Sequence, residues 1–231
     1  MTDPAIQIEG LRFAWKGGDM VLDVPSFSLA RGERLFLRGA SGSGKSTLLG
    51  VIAGVLEADA GRVSVLGEDL SALSGAARDR MRADHLGVIF QMFNLVPYLS
   101  VIGNVTLPLK FSARRRQAVA GAPEDEARRL LGRLGLTDAR LLERRVSDLS
   151  VGQQQRVAAA RAVIGGPEIV IADEPTSALD FDARDRFITL LSEETARSGA
   201  ALLFVSHDAS LASLFDRAVD MTDINRQEAS A

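Results

Sequence analysis

The stretch Gly39-Ala40-Ser41-Gly42-Ser43-Gly44-Lys45-Ser46 constrains this chain more than any other. It fits G-x-x-x-x-G-K-[ST]. A short strand-like run, Arg34–Arg38, precedes it, and a helix-forming run, Lys45–Ala53, follows and is ended by Gly54. Strand, glycine loop and helix in that order make a cradle for phosphate. The glycines let the backbone bend until successive N–H groups converge on phosphate oxygens, and the helix adds its positive N-terminus. Lys45 brings a point charge to the β- and γ-phosphates of a nucleotide. The Ser46 hydroxyl is placed to ligate Mg2+, and Thr47 follows it in the first helical turn. The plain alternative, a flexible Gly/Ser turn, does not need the strand and helix that flank this loop.

The rest of the chain has the texture of an α/β domain. Ile6–Phe13 and Val21–Leu29 alternate apolar and polar residues, as half-buried antiparallel strands do. Arg62–Leu66 and Leu86–Phe90 read as further strands. Ile169–Ala172 and Ala201–Val205 are nearly continuous apolar runs, set beside helical runs at Val151–Ile164 and Phe181–Arg197. Such strands belong to a mainly parallel sheet covered on both faces. From Asn94 to Leu149 the pattern changes. Pro97 and Pro108 break it, and Pro123-Glu124-Asp125-Glu126 opens a helix whose stripe is Leu130, Leu131 and Leu134 and whose stop is Gly135. The expectation is an α/β core over 1–93 and 150–231, including an N-terminal antiparallel β-subdomain, with a helical subdomain inserted over 94–149. Asn225–Ala231 is expected to fray.

Two further places carry chemistry. Asp173 and Glu174 end a buried strand, where ligands gather in open α/β sheets. Asp173 is suited to reach Mg2+ and Glu174 to activate the attacking water, against the bland reading of solvated acids at a strand end. Ser150 and Gln153 form the S-x-x-Q pattern of a capping box. The same serine, with Gly152 and the helix N-terminus, also makes a second anion site. One chain has its own cradle already, so a second phosphate-binding element makes sense if it serves a nucleotide held by another subunit.

The cradle, the Ser150 element, the Asp173-Glu174 strand, Ser177-Ala178-Leu179-Asp180 and Ser206-His207-Asp208 together resemble, in order, the motif set of ABC ATPases. The resemblance covers nearly the whole chain and implies a P-loop ATPase core. It implies a head-to-tail dimer in which Ser150 and Gly152 close on the γ-phosphate bound at the other subunit's Lys45. It implies that His207 contacts that phosphate and holds the attacking water with Glu174, that Gln91 links Mg2+ to the helical subdomain, and that Asp180 lies at the dimer seam. Trp15 falls where the family places a ring that stacks on adenine, with Phe13 as its competitor. In the family signature a glycine stands where this chain has Val151. Val151 either slows closure or merely packs against a neighbouring loop, and activity is expected to survive it.

Within the family, Phe90–Pro97 followed by Val101–Pro108 resembles the lipoprotein-releasing, macrolide-exporting and cell-division (FtsE-like) branch, and is loosely shared with amino-acid importers. Phe93, Leu95, Val96 and Tyr98 are either an apolar groove for a permease or subdomain core. The implied partners are a second ATPase subunit and integral membrane permease subunits. A net charge of −3 gives no broad attraction to nucleic acid. No apolar run approaches the roughly 20 residues that span a bilayer. Met1-Thr2-Asp3-Pro4 lacks a signal-peptide pattern, so the expected location is the cytoplasm, peripheral on the inner membrane face. Two rivals remain: a nucleotide-gated scaffold whose hydrolysis is incidental, and a solitary P-loop kinase, for which no acceptor pocket is visible.

Overall fold

Alternating apolar residues make a strand with one buried face, and continuous ones make a strand buried on both. A computed structural model, which describes residues 3–176 and 181–227, contains both kinds. In chain order the strands are β1 (Ile6–Ala14), β2 (Met20–Leu29), β3 (Arg34–Arg38), β4 (Ala60–Val65), β5 (Glu68–Asp69), β6 (Leu86–Ile89), β7 (Ile169–Asp173), β8 (Ala201–Ser206) and β9 (Arg217–Asp220). The helices are α1 (Lys45–Ile52), α2 (Gly75–His85), α3 (Val101–Thr106), α4 (Ala113–Ala118), α5 (Pro123–Arg133), α6 (Ala139–Leu142), α7 (Val151–Val163), α8 (Phe181–Ser198) and α9 (Met221–Ile224). The chain forms two units, Met1–Arg82 with Ala201–Ala231, and Ala83–Ala200.

In the first unit β1 pairs antiparallel with β2, from Ile6↔Leu29 to Ala14↔Met20, and on its other edge with β4 from Ile6↔Val65. β5 continues that sheet beyond β4. Ile6 and Ile8, and then Leu11 and Phe13, are buried; the alternation shifts by one residue at Glu9-Gly10, where Gly10 has φ 60° and the register with β4 also shifts. β3 lies between β8 and β9 and is parallel to both. Leu35, Phe36 and Leu37 of β3 and all of β8 are buried, so this part of the sheet is covered on both faces. The Phe36, Phe204 and Phe215 rings cluster with centroids 5.0–6.3 Å apart. Ion pairs stitch the rim: Arg34 to Asp216, Arg38 to Asp220 and Arg217 to Glu33.

The expected fraying from Asn225 onward is corrected for its first residue. Asn225 is buried; its Oδ1 accepts from the Asp23 N–H at 2.8 Å and its Nδ2 donates to the Val21 carbonyl at 3.0 Å. A lone amide in a polar tail gives no sequence sign of such anchoring. α2, β5 and β9 also went unforeseen. α2 buries only Met81, so it carries no apolar stripe to read, and β5 is two residues long.

In the second unit β6 and β7 pair in parallel from Leu86↔Ile169 to Ile89↔Ala172. α7 packs on β6, α3 and α5, and Val157, Ala158 and Ala160 are among the residues it buries. β6 comes so close to α7 that a Cβ on Gly87 would meet the Ala162 carbonyl oxygen at 2.1 Å. α5 begins with Pro123 and three acids and buries Ala127, Leu130 and Leu131. Its Arg129 and Arg133 pair with the buried Glu194 of α8. Arg115 of α4 is buried and donates to the carbonyls of Leu86, Ala162 and Ile164. It thereby meets the negative end of α7, and burial lowers its pKa to about 10. No helix among the described residues is long and apolar enough to cross a membrane.

Candidate nucleotide site

β3 ends at Arg38 and α1 begins at Lys45, so the Gly39–Gly44 segment spans the gap between them. Gly44 caps the helix in the left-handed region, φ 93°, a position a side chain would strain. Gly39 is needed for space: a Cβ there would meet Ser43 Oγ at 2.7 Å and Met221 Cβ at 2.8 Å. The first turn of an α-helix such as α1 leaves N–H groups without an acceptor inside the helix, at its positive end. Lys45 is 8 % exposed and donates from Nζ to the carbonyls of Gly39 and Ala40, each at 2.7 Å. Ser41, Gly42 and Ser46 are exposed, and the Ser43 hydroxyl oxygen is buried without a hydrogen-bond partner. An orphaned hydroxyl, a buried cation and a row of helix-start donors around one short loop suit a polyphosphate.

Asn225 donates from Nδ2 to the Ser43 carbonyl at 3.4 Å and so braces the loop from behind. Sequence reasoning missed both this asparagine and Met221 under Gly39. Neither lies in a pattern that periodicity or a motif could have exposed.

Trp15 and His207 belong to the same unit as the cradle. The Phe13 ring is buried and meets the Trp15 ring edge-on, with centroids 5.1 Å apart and planes at 89°. Trp15 is 53 % exposed, so of the two aromatics it is the one with a face to offer. His207 is exposed and directly follows β8. Its neighbour Asp208 caps a short 3-10 turn, accepting from the Ser210 N–H.

The other expected site residues lie in the second unit. Asp173 is the last residue of β7 and Glu174 the first beyond it, both half-buried. Glu174 has φ 46°, an uncommon conformation for a side-chain-bearing residue and one that clusters at functional sites. Gln91 is exposed in the turn that follows β6. Ser150 caps α7, its Oγ accepting from the Gln153 N–H at 3.3 Å while its own N–H donates to Gln153 Oε1 at 2.9 Å. The capping box is thus formed as its spacing requires. Ser150 remains exposed, Gly152 and Gln153 are half-buried, and Val151 is 49 % exposed, so it is no core residue of its own chain. Asp180, with Ser177, Ala178 and Leu179, lies outside the described residues.

Of the groove candidates, Phe93 is buried, Leu95 and Val96 are half-buried, and Tyr98 is 74 % exposed. The most exposed apolar residue of that turn is Met92, at 82 %, with Phe90 at 43 %. Met92 was not singled out in the sequence because a lone methionine after a strand has no periodic context.

The ABC transporter family model matches residues 22–177, more than half of the chain. The lipoprotein-releasing system ATP-binding protein LolD of Novosphingobium aromaticivorans is 41% identical over 95% of this chain and 96% of its own length. The macrolide export ATP-binding/permease protein MacB of Shewanella oneidensis is 35% identical over 96% of this chain, which spans 33% of that longer protein. Among solved structures, a dimeric ATP-binding cassette in a post-hydrolysis state, bound to ADP and phosphate, superposes with a TM-score of 0.85 at 30% identity. It covers 98% of this chain and 97% of that one.

Proposed function

Because this chain belongs to the ABC transporter family, as an ATP-binding and ATP-hydrolysing cassette of the LolD and MacB type, we propose that it closes on a second such subunit around two ATP molecules and drives a separate membrane permease. The observation that carries this reading is that, among the described residues, a second long helix besides α1 has a start suited to an anion. α1 lies behind the glycine loop, and the second helix is α7 under the exposed Ser150. Ser150 caps α7 within its own chain, and beyond that cap an anion site additional to the cradle has a purpose if it grips a nucleotide bound elsewhere.

In this reading Lys45 and the Gly39–Ser46 backbone hold the β- and γ-phosphates, and Trp15 stacks on the base. Glu174 accepts the proton of the attacking water, and His207 steadies that water and the γ-phosphate. The attack forms a bond from the water oxygen to the γ-phosphorus, breaks the bond to the bridging oxygen, and leaves ADP and phosphate. Ser46, Asp173 and Gln91 offer a hydroxyl, a carboxylate and an amide oxygen, the hard donors that suit Mg2+. When bound, the metal neutralises charge developing on the phosphate oxygens. Asp180 contributes at the dimer seam.

The helical segment over 94–149 faces the permease in this reading, with Tyr98 and, in the turn just before the segment, Phe90 and Met92 as apolar contacts, and the complex sits on the inner face of the membrane. Relatives named for lipoprotein release and macrolide export support the branch. The test mixes a Ser150-defective subunit with a Lys45-defective one. A mixed dimer has one intact composite site and should regain turnover that neither parent shows. No rescue at any mixing ratio defeats the shared-site reading.

A further inference from the structure

In the second unit the chain leaves β6 through a turn with two consecutive residues in the left-handed region, Phe93 at φ 58° and Asn94 at φ 47°. Asparagine tolerates this, but a phenylalanine there is strained by about 1–2 kcal/mol. Such a turn persists only where its surroundings hold it. The Phe93 ring is buried, the Phe93 N–H donates to the Phe90 carbonyl at 2.8 Å, and the Asn94 N–H to the Met92 carbonyl at 2.6 Å. Arg161 of α7 supplies the rest. Its Nη2 donates to the Phe93 carbonyl at 2.5 Å and its Nη1 to the Asn94 carbonyl at 2.6 Å. One planar guanidinium thus grips both carbonyls of the strained pair, a task for which lysine lacks the fork. The next turn is braced likewise, by the buried Asn104 of α3: its Oδ1 accepts from the Val96 N–H at 2.8 Å and its Nδ2 donates to the Val96 carbonyl at 3.0 Å. Gln91 and Met92 stand exposed at the tip of a turn fixed on both sides.

We propose that Arg161 is a positioning residue for Gln91. By holding the Phe93 and Asn94 carbonyls it sets the direction in which Gln91 leaves β6, and it ties that turn to the helix whose other end is Ser150. α7 is a single helix, so a movement at its capped start is carried to the Gln91 turn through this guanidinium. The proposal rests on the reading of Gln91 as a member of the hydrolytic site. It differs from a plain packing role for Arg161, in which the loss of the side chain would loosen α7 as a whole.

The test compares Arg161→Met, Arg161→Lys and Gln91→Ala. Hydrogen exchange on the nucleotide-free protein should show the Phe93 and Asn94 amides of Arg161→Met exchanging at least about tenfold faster, with Val157–Ala160 of α7 unchanged. Arg161→Lys should fall between, since an ammonium serves one carbonyl well and not two. ATP turnover of Arg161→Met should drop about tenfold with ATP affinity within about twofold of the parent, and the double variant Gln91→Ala/Arg161→Met should be no slower than Gln91→Ala alone. Should Arg161→Met fail to fold, Arg161→Lys carries the same comparisons. Additive losses, loosening along α7, or unchanged exchange at Phe93 and Asn94 would each overturn the role of Arg161. Full turnover by Gln91→Ala would instead overturn the reading of Gln91 on which it rests.

Discussion

Lys45 turns its ammonium back onto the loop that precedes it: Nζ lies 2.7 Å from the Gly39 carbonyl oxygen. The nearly buried cation therefore helps shape the cradle that it serves, and it stands where phosphate charge is to arrive. Lys45→Ala removes a charged donor worth about 1.5–3 kcal/mol. ATP affinity should fall by roughly 10- to 100-fold in a titration. Unchanged affinity would take the cradle out of nucleotide binding.

The edge-on pair of Phe13 and Trp15 separates packing from binding. Phe13→Ala empties a buried site and should destabilise the protein by about 3–5 kcal/mol in a denaturant titration. Trp15→Ala, which loses only the edge-on contact of a half-exposed ring, should cost about 0.5–1.5 kcal/mol. It should weaken ATP binding by up to about tenfold, the worth of one stacking contact. As the chain has a single tryptophan, its fluorescence reports the same event directly. A fluorescence signal indifferent to ATP would remove Trp15 from the base site.

Glu174→Gln keeps shape and removes the base. Turnover should fall by about 100-fold or more while ATP binding persists. With ATP the variant should then run as a dimer in size-exclusion chromatography, because closure is no longer undone by hydrolysis. A persistent monomer would count against the two-subunit site. The same variant separates a transport ATPase from a nucleotide-gated scaffold: transport stops without turnover, whereas a binding switch keeps working.

The elements that carry the candidate site were legible because each depends on local chain chemistry. A glycine loop, a capping box and an apolar strand ending in acids each declare themselves within a few residues, and the structure forms the elements around them near the expected places. What stayed hidden is held by distant partners. Asn225 braces Ser43 from far along the chain, Arg161 grips Phe93 and Asn94 across the second unit, and Met221 crowds Gly39. None of these contacts has a period or a spacing. α2 was missed for a related reason: a helix burying one methionine leaves no stripe.

Acid should weaken the first unit at the rim between β3 and β9. Arg34 holds Asp216 below the usual carboxylate range, chiefly through their hydrogen bond. Glu33 and Asp220 are also lowered on balance: burial, the largest influence on each, raises them, but hydrogen bonds outweigh it, from Arg217 and the Ala30 N–H for Glu33 and from the Thr222 N–H and Arg38 for Asp220. A carboxylate with a lowered folded pKa contributes stability above its unfolded value, near 4, and loses it as pH falls through the folded value. Thermal midpoints should therefore hold from neutrality down to about pH 5 and fall progressively below it. Asp216→Asn should flatten that fall. An equally steep acid limb in Asp216→Asn would place the sensitivity elsewhere.

Ser150 allows its two possible roles to be set against each other by one substitution. Its side chain caps α7, and aspartate caps a helix start as well as serine does and suits the positive end of the dipole. Ser150→Asp should therefore match the parent in thermal stability, whereas Ser150→Ala should lose about 1 kcal/mol. If capping were the only purpose, Ser150→Asp would hydrolyse ATP normally. In the proposed dimer the aspartate instead meets the γ-phosphate held by the other subunit, carboxylate against phosphate in a closing interface. Such like-charge contacts cost several kcal/mol, enough to prevent closure. Ser150→Asp should bind ATP at its own Lys45 cradle with parental affinity, yet form no ATP-dependent dimer in the Glu174→Gln background and show turnover at background level. A stable, fully active Ser150→Asp protein would reduce the serine to a helix cap.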